Sequence, residues 1–135
     1  MEKYFIEKPV KVFCVTADDF PSGIKAAHER LHSLLPVTEN RKFYGISRGA
    51  GKGKIIYKAA TAEQYDGEAA EYNCEEFIIQ AGNYVGKVLK NWRDDETVVA
   101  KTFTQLLSLP DVLPGGYCLE EYLDENDMRC MITVR

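Results

Sequence analysis

The chain has 135 residues, 45% hydrophobic and 28% charged, with a formal net charge of −4. That length gives one domain with a core of its own, and an acidic balance without a basic stripe excludes nucleic acid as the main ligand, because phosphate neutralisation needs clustered Lys and Arg. No apolar run approaches the ~18–20 residues that span a bilayer, and Met1-Glu2-Lys3-Tyr4 leads into no apolar signal core, so the expected setting is cytoplasmic and away from the membrane.

Tyr4-Phe5-Ile6 is a short apolar start. Residues 10–16 alternate as a strand, with Val10, Val12, Cys14 and Thr16 on one face and Phe13 and Val15 on the other. Asp18 and Asp19 offer an N-cap, Pro21 suits a first helical turn, and a helix is expected from Phe20 to Leu35. Its stripe is Ile24, Ala27, Leu31, Leu34 and Leu35, at helical spacing, and Pro36 ends it. Residues 42–47 and 54–61 read as a hairpin of strands around Arg48-Gly49-Ala50-Gly51-Lys52-Gly53, and the polar stretch 62–73 as a linker.

The second half begins with a strand over 74–80 and another over 84–92, which puts Tyr84, Gly86, Val88, Lys90 and Trp92 on one face. Arg93-Asp94-Asp95 caps a helix running to Pro110. Tyr117-Cys118-Leu119-Glu120-Glu121-Tyr122-Leu123 is the strand around which the chain is organised, and 128–134 is the last. Alternation sets Cys118, Glu120 and Tyr122 on one face and Leu119, Glu121 and Leu123 on the other. A carboxylate beside an aromatic ring on a sheet face is either solvated or the polar anchor of a pocket. Buried without a partner, it costs several kcal/mol or takes up a proton.

Three other patterns carry less. His28-Glu29-Arg30-Leu31-His32 matches H-E-x-x-H, but these are the only histidines, and Arg30 puts a cation inside the motif. No metal is assigned to it. The glycine loop at 48–53 lacks P-loop spacing, has Gly53 where Ser or Thr would hold magnesium, and leads into a strand. Cys14, Cys74, Cys118 and Cys130 form no C-x-x-C and read as small buried hydrophobes in a reducing compartment. No cofactor is expected.

An internal repeat runs through the chain: strand, Asp-Asp, helix, Leu-Leu, Pro, strand, hairpin, strand describes residues 10–61 and again 84–134. Two β-α-β-β units would bury their apolar faces on each other as an α+β fold, with an antiparallel sheet, both helices on one face and a central cleft. Tyr44, Tyr57, Tyr84, Trp92 and Tyr122 are candidate walls of that cleft, with Glu120 at its centre.

Four segments, in order, then carry a likeness: Phe43-Tyr44-Gly45-Ile46-Ser47, Ile79-Gln80-Ala81-Gly82-Asn83-Tyr84, Cys118-Leu119-Glu120-Glu121-Tyr122 and Cys130-Met131-Ile132. With them the chain resembles the gyrase-inhibitor-like (GyrI-like) small-molecule-binding domain, the effector-binding module of bacterial AraC-type and MerR-type regulators. The resemblance implies a duplicated, SHS2-like strand-helix-strand-strand fold in which the Glu of a Glu-x-Tyr strand contacts the ligand, the place of Glu120. Glu121 departs from the family pattern, which would set a charge on a helix-facing side. The first strand follows the N-terminus directly, so a free-standing member without a helix-turn-helix is expected. Three functions follow as expectations: sensing or sequestering an aromatic or cationic small molecule over Glu120; hydrolysis of electrophilic molecules with Glu120 as general base, as in some relatives; or inhibition of a protein partner such as gyrase.

Overall fold

Eight strands form one antiparallel sheet in the computed structural model, which describes all 135 residues. They are β1 (Glu2–Ile6), β2 (Val10–Thr16), β3 (Phe43–Gly49), β4 (Ile55–Ala62), β5 (Glu75–Ile79), β6 (Gly82–Leu89), β7 (Cys118–Tyr122) and β8 (Met128–Thr133). The helices are α1 (Ile24–Leu34), α2 (Glu68–Glu71) and α3 (Thr97–Leu107), and the strand order is β1-β6-β8-β7-β3-β4-β2-β5.

Two short links force this sheet to curl. Residues 7–9 alone join β1, at one edge, to β2, next to the opposite edge. Gln80 and Ala81 alone join β5 to β6 across the same breadth. A flat sheet would separate each pair by about 29 Å at ~4.8 Å per strand, whereas the longer link reaches about 15 Å. The sheet therefore bends into a half-barrel, and side chains from both ends meet inside it: Val12, Cys14 and Ile79 share one core with Tyr84, Leu119 and Met131.

The outer face carries the helices. α1 packs Ala27 and Leu31 against Phe13, Val15 and Ala59 of β2 and β4. α3 packs Leu106 among Leu89, Met128, Cys130 and Ile132 of β6 and β8. The central pair β3 and β7, joined in register from Phe43 opposite Tyr122 to Ser47 opposite Cys118, lies between the two helices. The strand-helix-strand-strand order occurs twice, as β2-α1-β3-β4 and β6-α3-β7-β8. Each unit is widened by a strand from outside it, β5 on β2 and β1 on β6.

Several local expectations are corrected. α1 begins at Ile24, because residues 17–23 form a turn in which the Gly23 N–H donates to the Asp19 carbonyl at 3.1 Å; neither Asp18 nor Asp19 caps with its side chain. The supposed linker contains α2, whose Glu68 is fully buried against Arg41 and also accepts the Gln64 N–H at 2.9 Å. β6 stops at Leu89, since Asn91 turns the chain through a left-handed conformation (φ 52°) into a 3-10 turn at Trp92–Asp94. Trp92 thereby leaves the face of Tyr84 and joins the α3 side. Asp95 does support α3, accepting the Thr97 N–H at 3.2 Å and its hydroxyl at 2.5 Å.

Candidate functional site

Strand parity decides which face Glu120 sees. Leu119 belongs to the half-barrel interior, so its neighbours Cys118 and Glu120 point outward, toward the helices. Glu121 therefore shares the interior side. There it pairs with Arg129 at 2.7 Å, and that guanidinium covers the Tyr4 ring at 4.7 Å. The expected facing of Glu121 is thus reversed: the helix-facing charge is Glu120, on the floor of the trough between α1 and α3.

Four side chains close on each other there. Glu120 Oε1 accepts the Tyr57 hydroxyl at 2.7 Å and the Tyr122 hydroxyl at 3.0 Å. Tyr57 is 1% exposed and comes from β4, one strand beyond β3. The Tyr57 oxygen lies 2.8 Å from His28 Nε2. Because the Tyr57 hydroxyl donates its one hydrogen bond to the carboxylate, His28 is the donor in that contact, with N–H on Nε2. Tyr122 lies 3.3 Å from both the Tyr57 oxygen and His28 Nε2. Glu120 Oε2 makes no hydrogen bond within the chain, and Glu120 remains partly exposed.

Gly45 makes this arrangement fit. It sits directly opposite Glu120 in the β3–β7 ladder, and a Cβ there would collide with both Glu120 Oε1 and the Tyr57 hydroxyl. The tight glycine in Phe43-Tyr44-Gly45-Ile46-Ser47 is thus a requirement of close approach to the carboxylate.

Aromatic side chains flank the trough. Phe20 stacks on Tyr57 at 6.2 Å, and Trp92 tilts against Tyr122 at 5.9 Å. Arg93 lies 4.4 Å over the Trp92 indole. The Trp92 Nε1–H is buried without a partner.

Burial pushes the Glu120 carboxyl above the usual range, although the two phenolic hydrogen bonds pull it back. Burial also raises Tyr57 and Tyr122, and the carboxylate charge adds to it, so both stay protonated. His28 is held down to about 4 by burial and by His32 and Arg93, and stays neutral. Burial lifts the Cys118 thiol to about 11, which removes it as a nucleophile near neutral pH.

Of the residues expected to form the site, Glu120, Tyr57 and Tyr122 meet directly and Trp92 adjoins them. Tyr44 and Tyr84 lie elsewhere, in the interior core on the opposite face at 5% and 1% exposure. His28 and Gly45 were not among the expected site residues. His28 had a signal: it stands four residues after Ile24 and three before Leu31, on the sheet-facing stripe of α1. The two histidines diverge, His32 stacking on Phe43 at 4.2 Å. Two cavities of the molecule, at one end of the half-barrel, are lined by other residues and not by Glu120, Tyr57, Tyr122 or His28.

These features define the class: an α+β protein with a curled antiparallel sheet, helices on its outer face, and a tyrosine-bound carboxylate between α1 and α3. No family model and no curated protein sequence matches the chain. Among solved structures it is similar to the integron cassette protein VCH_CASS2 from the mobile metagenome of Vibrio cholerae, with 15% identity, 99% of this chain and 95% of that one covered, and a TM-score of 0.72. At that identity the likeness is one of fold.

Proposed function

We propose that this chain is a GyrI-like, duplicated SHS2-like binding domain that senses or sequesters an aromatic, cationic small molecule in the trough over Glu120. The observation that carries the reading is the state of the carboxylate: Oε1 is fixed by Tyr57 and Tyr122, while Oε2 makes no bond within the chain. A cation reaching Oε2 meets an acceptor that is already oriented and desolvated, where charge-assisted contacts are strongest. Phe20 and Trp92 supply apolar flanks, each worth ~0.5–2 kcal/mol against a cationic ring system. The Trp92 face takes a planar cation already, that of Arg93. Phe20 stacks on Tyr57 and His28 contacts its hydroxyl, so these two side chains border the approach to the carboxylate.

Thermal unfolding with tetraphenylphosphonium and with planar aromatic cations tests this. Wild-type protein gains melting temperature with at least one of them, and Glu120→Gln loses that gain while remaining folded. Equal stabilisation of both proteins places binding elsewhere. Consumption of an electrophilic ester by the wild type but not by Glu120→Gln makes the carboxylate a general base, and the protein a hydrolase.

A further inference from the structure

A cavity of about 930 Å³ opens at the end of the half-barrel, away from Glu120. It is bounded by the β5–β6 turn on one side and by Pro114-Gly115-Gly116 and β8 on the other. Arg48, at the end of β3, projects into this region and makes no ion pair or hydrogen bond within the chain. It lies instead over two rings, 5.6 Å from Phe77 and 6.0 Å from Tyr117. Those rings meet edge to face at 5.2 Å. Glu76, the one acid on the rim, is engaged by Lys11 at 3.4 Å. The side chains of Gln80, Asn83 and Thr133 line the same space, and none of them is hydrogen-bonded within the chain. Gly116 is required beside Thr133, because a Cβ there would collide with Oγ1. The floor is fixed from beneath: Tyr117 accepts the Gln80 N–H at 2.9 Å, and Tyr84 donates to the Gln80 carbonyl at 2.7 Å.

We propose that this cavity is a second binding site, for a small aromatic carboxylate. Arg48 takes the carboxylate through its free N–H groups, the Phe77 ring packs against the aromatic body, and Gln80, Asn83 and Thr133 offer further donors to the anion. Charge sets the class: the cavity holds an uncommitted cation, and its one acid is already paired. A guanidinium that rests against rings with no carboxylate partner keeps its N–H fork free for bidentate capture of a planar carboxylate. The site is opposite in sign to the trough at Glu120 and independent of it.

The probe is 2-naphthoate, with neutral 2-naphthamide as its control, followed by two-dimensional amide NMR. Naphthoate shifts the amides of residues 80–83 and 115–117 in the wild type. Naphthamide binds at least about tenfold more weakly, as loss of one charge-assisted contact implies. Arg48→Gln produces the same loss; Arg48 is exposed, so the variant folds. Phe77→Leu weakens naphthoate severalfold, and Glu120→Gln leaves it unchanged. No shift at these amides with millimolar naphthoate overturns the proposal. So does equal binding of acid and amide, or binding that survives Arg48→Gln. A failure here leaves cation binding at Glu120 standing, since that reading depends on neither Arg48 nor Phe77.

Discussion

Two pairs of tyrosines sit on opposite faces of the same sheet, and they end differently. Inside the half-barrel, Tyr84 and Tyr117 meet hydroxyl to hydroxyl at 2.5 Å, and every donor finds a backbone or phenolic acceptor around Gln80. That network is neutral and complete, and it pins the β5–β6 turn. On the outer face, Tyr57 and Tyr122 converge on a carboxylate whose second oxygen has no partner in the chain. Both pairs satisfy buried hydroxyls. Only the outer one holds an ionisable acid in a place that disfavours its charge, and that asymmetry separates a structural polar cluster from a candidate receptor.

The outer cluster is most sensitive to change at Gly45, which faces both Glu120 and Tyr57. Gly45→Ala forces a methyl into the Tyr57–Glu120 contact and is expected to cost about 3 kcal/mol, the upper range for overpacking, measured by urea unfolding. The interior pair gives the next effect. Tyr84→Phe leaves the Gln80 carbonyl without its phenolic donor and should cost about 1–2 kcal/mol, with no change in cation binding at Glu120.

Glu120→Gln acts with the opposite sign. The folded chain holds the Glu120 proton more tightly than the unfolded chain does, so the ionised carboxyl costs stability above its raised pKa, and that cost vanishes below the ordinary glutamate range. Wild-type stability therefore carries a falling component as pH rises through this window. The Gln variant lacks it, and melts higher near neutral pH while losing the ligand. A pH series of melting curves on both proteins checks it. The smallest change is expected at Arg93. Arg93→Ala clears the Trp92 face and removes a like charge, so a cationic ligand binds a few times more tightly, by roughly 0.5–1 kcal/mol, in a calorimetric titration.

Much of this fold was legible in local pattern. Alternation located β2, β3, β4, β7 and β8, and the 24/27/31 stripe located α1, because each element has one strongly apolar face. The repeated strand-helix-strand-strand order was legible for the same reason. The exchange of β1 and β5 between the units was not, since pairing partners depend on the curl of the whole sheet. The buried Arg41–Glu68 pair hid α2, whose sequence is polar only because its charge is matched from 27 residues away. Glu120 and Tyr122 were readable as neighbours on one face; Tyr57 came with them only through the β4–β3–β7 adjacency. Tyr44 and Tyr84 went to the interior because composition says that an aromatic residue is buried, but not on which side of a curled sheet.

The most direct measurement is the ionisation of Glu120 itself, followed by the carboxyl ¹³C shift over a pH titration with and without tetraphenylphosphonium. The account predicts a pKa above the ordinary glutamate range in the free protein, falling when the cation binds, because a positive charge at Oε2 favours the ionised form. An ordinary pKa, or one that a saturating cation leaves unmoved, would contradict it.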